Sequence, residues 1–96
     1  MPAATRIGDA DVAHCSGMTR AEGSSTVFVN SIAWSRQGDN NTSHLLPGVP
    51  CPSHAAPITI GSSSVFVNGK GAGRIGDAIT GCTSVAAGSS NVFCGP

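Results

Sequence analysis

Gly61-Ser62-Ser63-Ser64-Val65-Phe66-Val67-Asn68-Gly69-Lys70-Gly71-Ala72-Gly73-Arg74-Ile75-Gly76-Asp77 is the stretch from which the rest of this chain can be read. Val65-Phe66-Val67 is β-branched and aromatic and is bounded by turn formers, so it reads as a short strand. Asn68-Gly69 suits a two-residue hairpin turn of type I′, in which both central residues need positive φ. The returning strand leads to Arg74-Ile75-Gly76-Asp77, a Gly-Asp turn whose arginine and aspartate stand three residues apart and can pair locally.

Both halves of the stretch recur. Gly23-Ser24-Ser25-Thr26-Val27-Phe28-Val29-Asn30 repeats the first half, and Gly88-Ser89-Ser90-Asn91-Val92-Phe93-Cys94-Gly95 repeats it in shortened form. The Arg-x-Gly-Asp tetrapeptide occurs also as Arg6-Ile7-Gly8-Asp9 and Arg36-Gln37-Gly38-Asp39. Val27 to Arg36 and Val65 to Arg74 are both nine residues, so those two hairpins superpose without a gap. Three copies of one unit predict a pseudo-threefold domain of short β-hairpins, with the Val-Phe strands in its core.

Eight residues on from each arginine of the tetrapeptide stands a metal-binding type of residue: His14, His44 and Cys82. Only 3 His and 4 Cys occur in 96 residues, and packing alone would more often place an aliphatic side chain at a symmetry-related buried position. Two nitrogen donors and one sulfur at equivalent places point to a shared transition-metal ion. The fourth ligand is expected from the longest connection, between Asp39 and Gly61, where Pro47, Pro50 and Pro52 stiffen the loop. His54 is the favoured candidate and Cys51 its rival. Cys15 follows His14 and points the other way in an extended segment, and Cys94 takes the place of Val29 and Val67 as a small core residue. The four cysteines could instead form two disulfides or remain inert thiols, but histidines spaced among them and the absence of an apolar leader favour metal. Zinc is the first expectation and iron the second. A tetrahedron filled by protein ligands leaves no position for a reactive water, so such a site would be structural and its binding energy would go into folding.

At 96 residues the chain is expected to be one domain, 1–96, with a thin core: 4% of residues are aromatic, and 13 Gly and 6 Pro oppose long helices. The class is all-β. Formal net charge is zero, and most charges lie within the tetrapeptides, so no patch exists to neutralise several phosphates and nucleic acid is not an expected partner. No membrane span and no hydrophobic leader are present, which predicts a cytoplasmic product without a cleaved signal. Nucleophile elbows, phosphate loops and His-Glu-x-x-His segments are lacking, and three of the candidate carboxylates, Asp9, Asp39 and Asp77, are repeat equivalents beside arginines. The expected protein is not an enzyme; a small hydrolase is the third-ranked reading, behind a free-standing zinc-binding interaction module.

The repeated Ser-Ser/Thr-Val-Phe-Val-Asn segments, each followed by Arg-x-Gly-Asp, and the closing Gly88-Ser89-Ser90-Asn91-Val92-Phe93 resemble the PAAR-repeat proteins over nearly the whole chain. The resemblance implies a small β-rich cone, metal-stapled near its apex. It would sit as a monomer on the blunt end of a trimeric β-helical spike, either VgrG of a type VI secretion system or the central spike of a contractile phage tail. It implies a zinc ion held by three histidines and a cysteine, matched by His14, His44, His54 and Cys82. The role would be mechanical: a rigid point that contacts the target membrane transiently, with the broad apolar base, carrying Val27 to Val29, Val65 to Val67 and Val92 to Phe93, on the spike. The Pro-Ala-Ala-Arg signature is replaced by Ala33-Trp34-Ser35-Arg36 and Gly71-Ala72-Gly73-Arg74, and Pro2-Ala3-Ala4 is one residue out of step with Arg6. No fused toxin domain is expected.

Overall fold

The computed structural model describes residues 1–13, 17–45 and 53–95. Its regular elements are six short strands: β1 (Phe28–Val29), β2 (Ile32–Ala33), β3 (His44–Leu45), β4 (Ser53–His54), β5 (Phe66–Val67) and β6 (Lys70–Gly71). They pair antiparallel as β1–β2, β3–β4 and β5–β6, and no helix occurs among the described residues. The all-β expectation holds.

The repeated strand pairs antiparallel each time, but the third pairing is assembled differently. In β5–β6, Val67 faces Lys70 across Asn68 (φ 53°) and Gly69 (φ 79°), the type I′ turn that Asn-Gly favours. In β1–β2, Val29 faces Ile32 across Asn30 (φ 53°) and Ser31 (φ 65°), so the same turn is made without glycine. Ser31 thus sits where a side chain is disfavoured by about 1 kcal/mol. In the last copy Phe93 pairs antiparallel with Ala3 instead. Ser89 N–H donates to Ala4 C=O (2.8 Å) and Ala4 N–H to Val92 C=O (3.0 Å), repeating the Ser24–Trp34–Val27 and Ser62–Ala72–Val65 bonds. The segment around Ala3 therefore supplies the partner strand, and residues 90 positions apart close the ring.

Three equivalent residues meet at the pseudo-threefold axis. Thr5 N–H donates to Gly73 C=O (3.1 Å), Gly73 N–H to Ser35 C=O (2.9 Å) and Ser35 N–H to Thr5 C=O (3.0 Å), a closed cycle of buried hydrogen bonds. The body measures 39 × 23 × 23 Å, and two equal short dimensions are what a threefold arrangement about the long one requires. A second cycle joins the hairpins. The hydroxyls of Ser24, Ser62 and Ser89 accept N–H bonds from residues two and three positions ahead. Each hydroxyl also donates to the neighbouring unit, at Asn68 Oδ1, Gly95 C=O and Asn30 Oδ1 respectively. That double duty explains serine at this place in every repeat.

The expectation that the Val-Phe strands are core is half corrected. Val29, Val67 and Cys94 are buried, whereas Phe28, Phe66 and Phe93 are 55%, 61% and 54% exposed. Alternation along a strand sends neighbours to opposite faces. The inner face takes small side chains, and the bulky ring is turned to solvent.

The glycine opening each repeat is held by close approach. A Cβ at Gly61 would stand 2.3 Å from the Gly71 carbonyl oxygen, at Gly88 2.5 Å from that of Ala4, and at Gly23 3.0 Å from that of Trp34. These are backbone atoms and cannot swing aside. Gly61→Ala is expected to cost the most, about 3 kcal/mol, with Gly88→Ala next and Gly23→Ala least, about 1 kcal/mol. Thermal unfolding of the three variants checks the order.

Candidate metal centre

The Arg-x-Gly-Asp tetrapeptides are turns that aim the chain. Arg6 N–H and Nε donate to Asp9 Oδ2 (both 2.8 Å), Nη2 donates to Asp9 Oδ1 (3.0 Å), and Asp9 N–H closes the turn on Arg6 C=O (3.0 Å). The same fork joins Arg36 to Asp39 and Arg74 to Asp77. Gly8, Gly38 and Gly76 hold φ of 90°, 88° and 90°, which is why glycine stands third. Each carboxylate is consumed within its turn, in keeping with the structural reading of the tetrapeptide.

Beyond each turn the chain enters a buried layer. Gly8, Gly38 and Gly76 N–H donate to the carbonyls of Arg20, Ile58 and Val85 (2.8, 3.0 and 2.8 Å), which identifies those three as equivalents. They bridge in turn to Asn41, Ile79 and Asp11 of adjoining units. All six are buried. Asp11, Asn41 and Ile79 each stand three residues before an expected ligand in the sequence. Its Ile58, Ile79 and Val85 form an apolar cluster with Ala56, against which Cys82 packs.

One corner of this layer is polar, and sequence reading missed it. Arg20 fills the place held elsewhere by Ile58 and Val85. Its Nη1 lies 3.8 Å from Asp11 Oδ2, and its Nη2 donates to Asp39 C=O (3.1 Å). Asn41 Nδ2 donates to Asp11 Oδ2 (3.2 Å), while Asn41 Oδ1 accepts from Ala56 N–H (2.9 Å) and Asn41 N–H donates to Ala56 C=O (3.0 Å). Among the described residues, Asp11 Oδ1 and Arg20 Nε and Nη1 find no hydrogen-bond partner. Burial pushes the Asp11 carboxyl up despite Arg20, and pushes the Arg20 guanidinium down despite Asp11. Desolvation outweighs the attraction of the pair, so the pair is not a source of stability by itself. The signal that could have found Arg20 is its place three residues before Gly23, matching Ile58 before Gly61 and Val85 before Gly88.

Above the layer, His44, His54 and Cys82 come together with their donor atoms all within 4.8 Å of one another. The β3–β4 pairing sets His44 directly opposite His54, and residues so paired project to one face of a hairpin. Their ring centroids are 4.2 Å apart, tilted by 59°. His44 Nδ1 lies 2.7 Å from the Thr42 carbonyl, which can only accept, so Nδ1 carries the proton and Nε2 offers its lone pair. That Nε2 lies 3.2 Å from Cys82 Sγ, and His54 Nε2 lies 3.6 Å from the same sulfur. A tetrahedral zinc with ordinary bond lengths sets sulfur and nitrogen about 3.6 Å apart. The donor set therefore fits a metal, and the outer hydrogen bond from an imidazole to a backbone carbonyl is the one that metal-binding histidines commonly make.

Burial holds the Cys82 thiol above its usual range. A metal that displaces the thiol proton would remove that penalty. Of the expected ligands, the structure brings together His44, His54 and Cys82; His14 lies outside the described residues, as do Cys15, the rival Cys51 and the prolines of the long loop. Cys94 lies in a second apolar cluster with Val67 and Ala72, as expected, and neither Cys82 nor Cys94 is in a disulfide.

No curated protein matches the chain. The family model described as the PAAR motif matches residues 49–96, half of the chain, taking in His54, Cys82, two of the three Gly-Ser-Ser repeats and the last Arg-x-Gly-Asp turn. The match begins inside the connection that carries His54 and ends with the strand that the N-terminal segment completes. With the repeats, the cyclic hairpins and the His-His-Cys cluster on the same ring, the chain belongs to the PAAR-motif family.

Proposed function

We propose that this protein is the structural tip of a contractile injection spike, with its phenylalanine-bearing end seated on a trimeric β-helical spike of the VgrG or phage-tail kind and its metal end forward. The PAAR motif is associated with spike tips of such systems. The observation that carries the reading is the exposure of Phe28, Phe66 and Phe93 at three equivalent hairpin positions. Large exposed aromatics mark an interaction surface, and three related by a pseudo-threefold axis suit a partner with a true one. At the other end, zinc is the proposed ion, with His14 completing the set of His44, His54 and Cys82 and iron as the alternative metal. The ion would staple the loops into a cone apex; it supplies rigidity and no turnover. The role is to pierce a target envelope, with assembly on the spike following synthesis in the cytoplasm.

The test is capture of the purified protein by an isolated trimeric β-helical spike, together with elemental analysis. One chain per trimer and one zinc per chain are expected. A chain that carries its metal but ignores such spikes would belong to a free-standing metal-binding interaction module.

A further inference from the structure

The buried layer beneath the ligands is aliphatic wherever the fold alone determines it. Ile58, Val85 and Ile79 occupy the same repeat positions at which Arg20, Asp11 and Asn41 stand. Packing therefore accepts aliphatic side chains there. Placing three hydrogen-bonding groups at one corner costs desolvation, and a buried polar group is retained only where its bonds do something.

The bonds made by Asn41 all lead toward the metal site. Its backbone N–H and side-chain Oδ1 both grip Ala56, two residues beyond His54. Its own segment runs three residues on to His44, whose imidazole is turned by Thr42 C=O. Its Nδ2 is held on Asp11 Oδ2 at 3.2 Å, and Asp11 in turn faces Arg20. One amide thus ties the His44 segment to the His54 segment.

We propose that Asn41, held in place by Asp11 and Arg20, is the positioning residue of the metal centre: it fixes the His54 segment against the His44 segment. This rests on the metal-centre reading given under Proposed function. Loosening the His54 segment against the His44 segment would alter the placement of the ligands, which the sulfur-to-metal charge-transfer band reports. Groups that orient metal ligands also typically contribute 10–100-fold in affinity.

The experiment replaces the native metal with Co2+ in the full chain. It records the sulfur-to-cobalt charge-transfer band and the apparent Kd by competition with a chelator of known affinity. Asn41→Ile installs the residue found at the equivalent Ile79. The triple variant Asp11→Ile, Arg20→Ile, Asn41→Ile makes the whole layer aliphatic and leaves no unpaired buried charge. In whichever variant folds and takes up one Co2+, the expected result is a band displaced from that of wild type and a Kd roughly 10–100-fold weaker. A band and affinity equal to wild type overturn the proposal. So does failure of both variants to fold in excess metal, which would assign the polar corner to the scaffold. Wild-type protein that gives no tetrahedral Co2+ spectrum would instead sink the metal centre itself.

Discussion

Cys82→Ala is expected to leave the protein unable to retain its metal and to lower its stability by roughly 3–5 kcal/mol, because ligand loss removes binding energy that folding uses. For a domain of this size, that corresponds to a fall in Tm of roughly 15–30 °C. The expectation follows from geometry: the sulfur of Cys82 is the atom that both His44 Nε2 and His54 Nε2 approach, at 3.2 and 3.6 Å. It also follows from the core, where Cys82 packs on only four buried aliphatic residues. Wild-type protein stripped with a chelator should melt near the variant. Cys94→Ala serves as the control, since Cys94 is buried beside Val67 and Ala72 in a different cluster. It should lose about 1 kcal/mol for its missing atom and keep the metal. Equal losses in both variants, with metal retained in both, would mean that Cys82 is only a packing residue.

The parts of this fold that repeat were legible in the sequence, and the parts that complete the repeats were not. The hairpin at Asn68-Gly69 was announced by its dipeptide, whereas Asn30-Ser31 adopts the same positive φ with no such signal. There the equivalence of the flanking Val-Phe strands decides the turn, over the preference of serine. The fixed offset from arginine found His44 and Cys82, because a metal ligand needs one particular atom at one place and tolerates little substitution. His54 lies off that offset; only the β3–β4 register shows that it sits opposite His44. The pairing of Ala3 with Phe93 joins residues at the two ends of the chain, and no local pattern encodes it. No local pattern marks Arg20 and Asp11 as buried, and their burial is visible only once they are laid over Val85, Ile58 and Ile79. Phenylalanine in a strand suggests core by composition, yet alternation combined with a narrow axis turns it outward.

Replacing Phe28, Phe66 and Phe93 together by alanine is expected to abolish capture by a trimeric spike while leaving the fold and its metal in place. The three rings lie 54–61% exposed, so the fold gives up little when they are removed. Their strand neighbours Val29, Val67 and Cys94 carry the packing instead. In the proposed complex each ring would enter one of three equivalent apolar sites, and an aromatic anchor desolvated in this way typically contributes about 2 kcal/mol. Three of them give roughly 6 kcal/mol, or about 10⁴-fold in Kd. Single variants at the three positions should weaken binding to a similar extent, because a symmetric partner cannot distinguish one hairpin from another. A binding titration against the spike, with thermal unfolding alongside, separates the outcomes. If the triple variant binds as wild type does, the spike does not dock on the phenylalanine face. If one single variant accounts for the whole loss, the partner reads one hairpin and not a threefold ring.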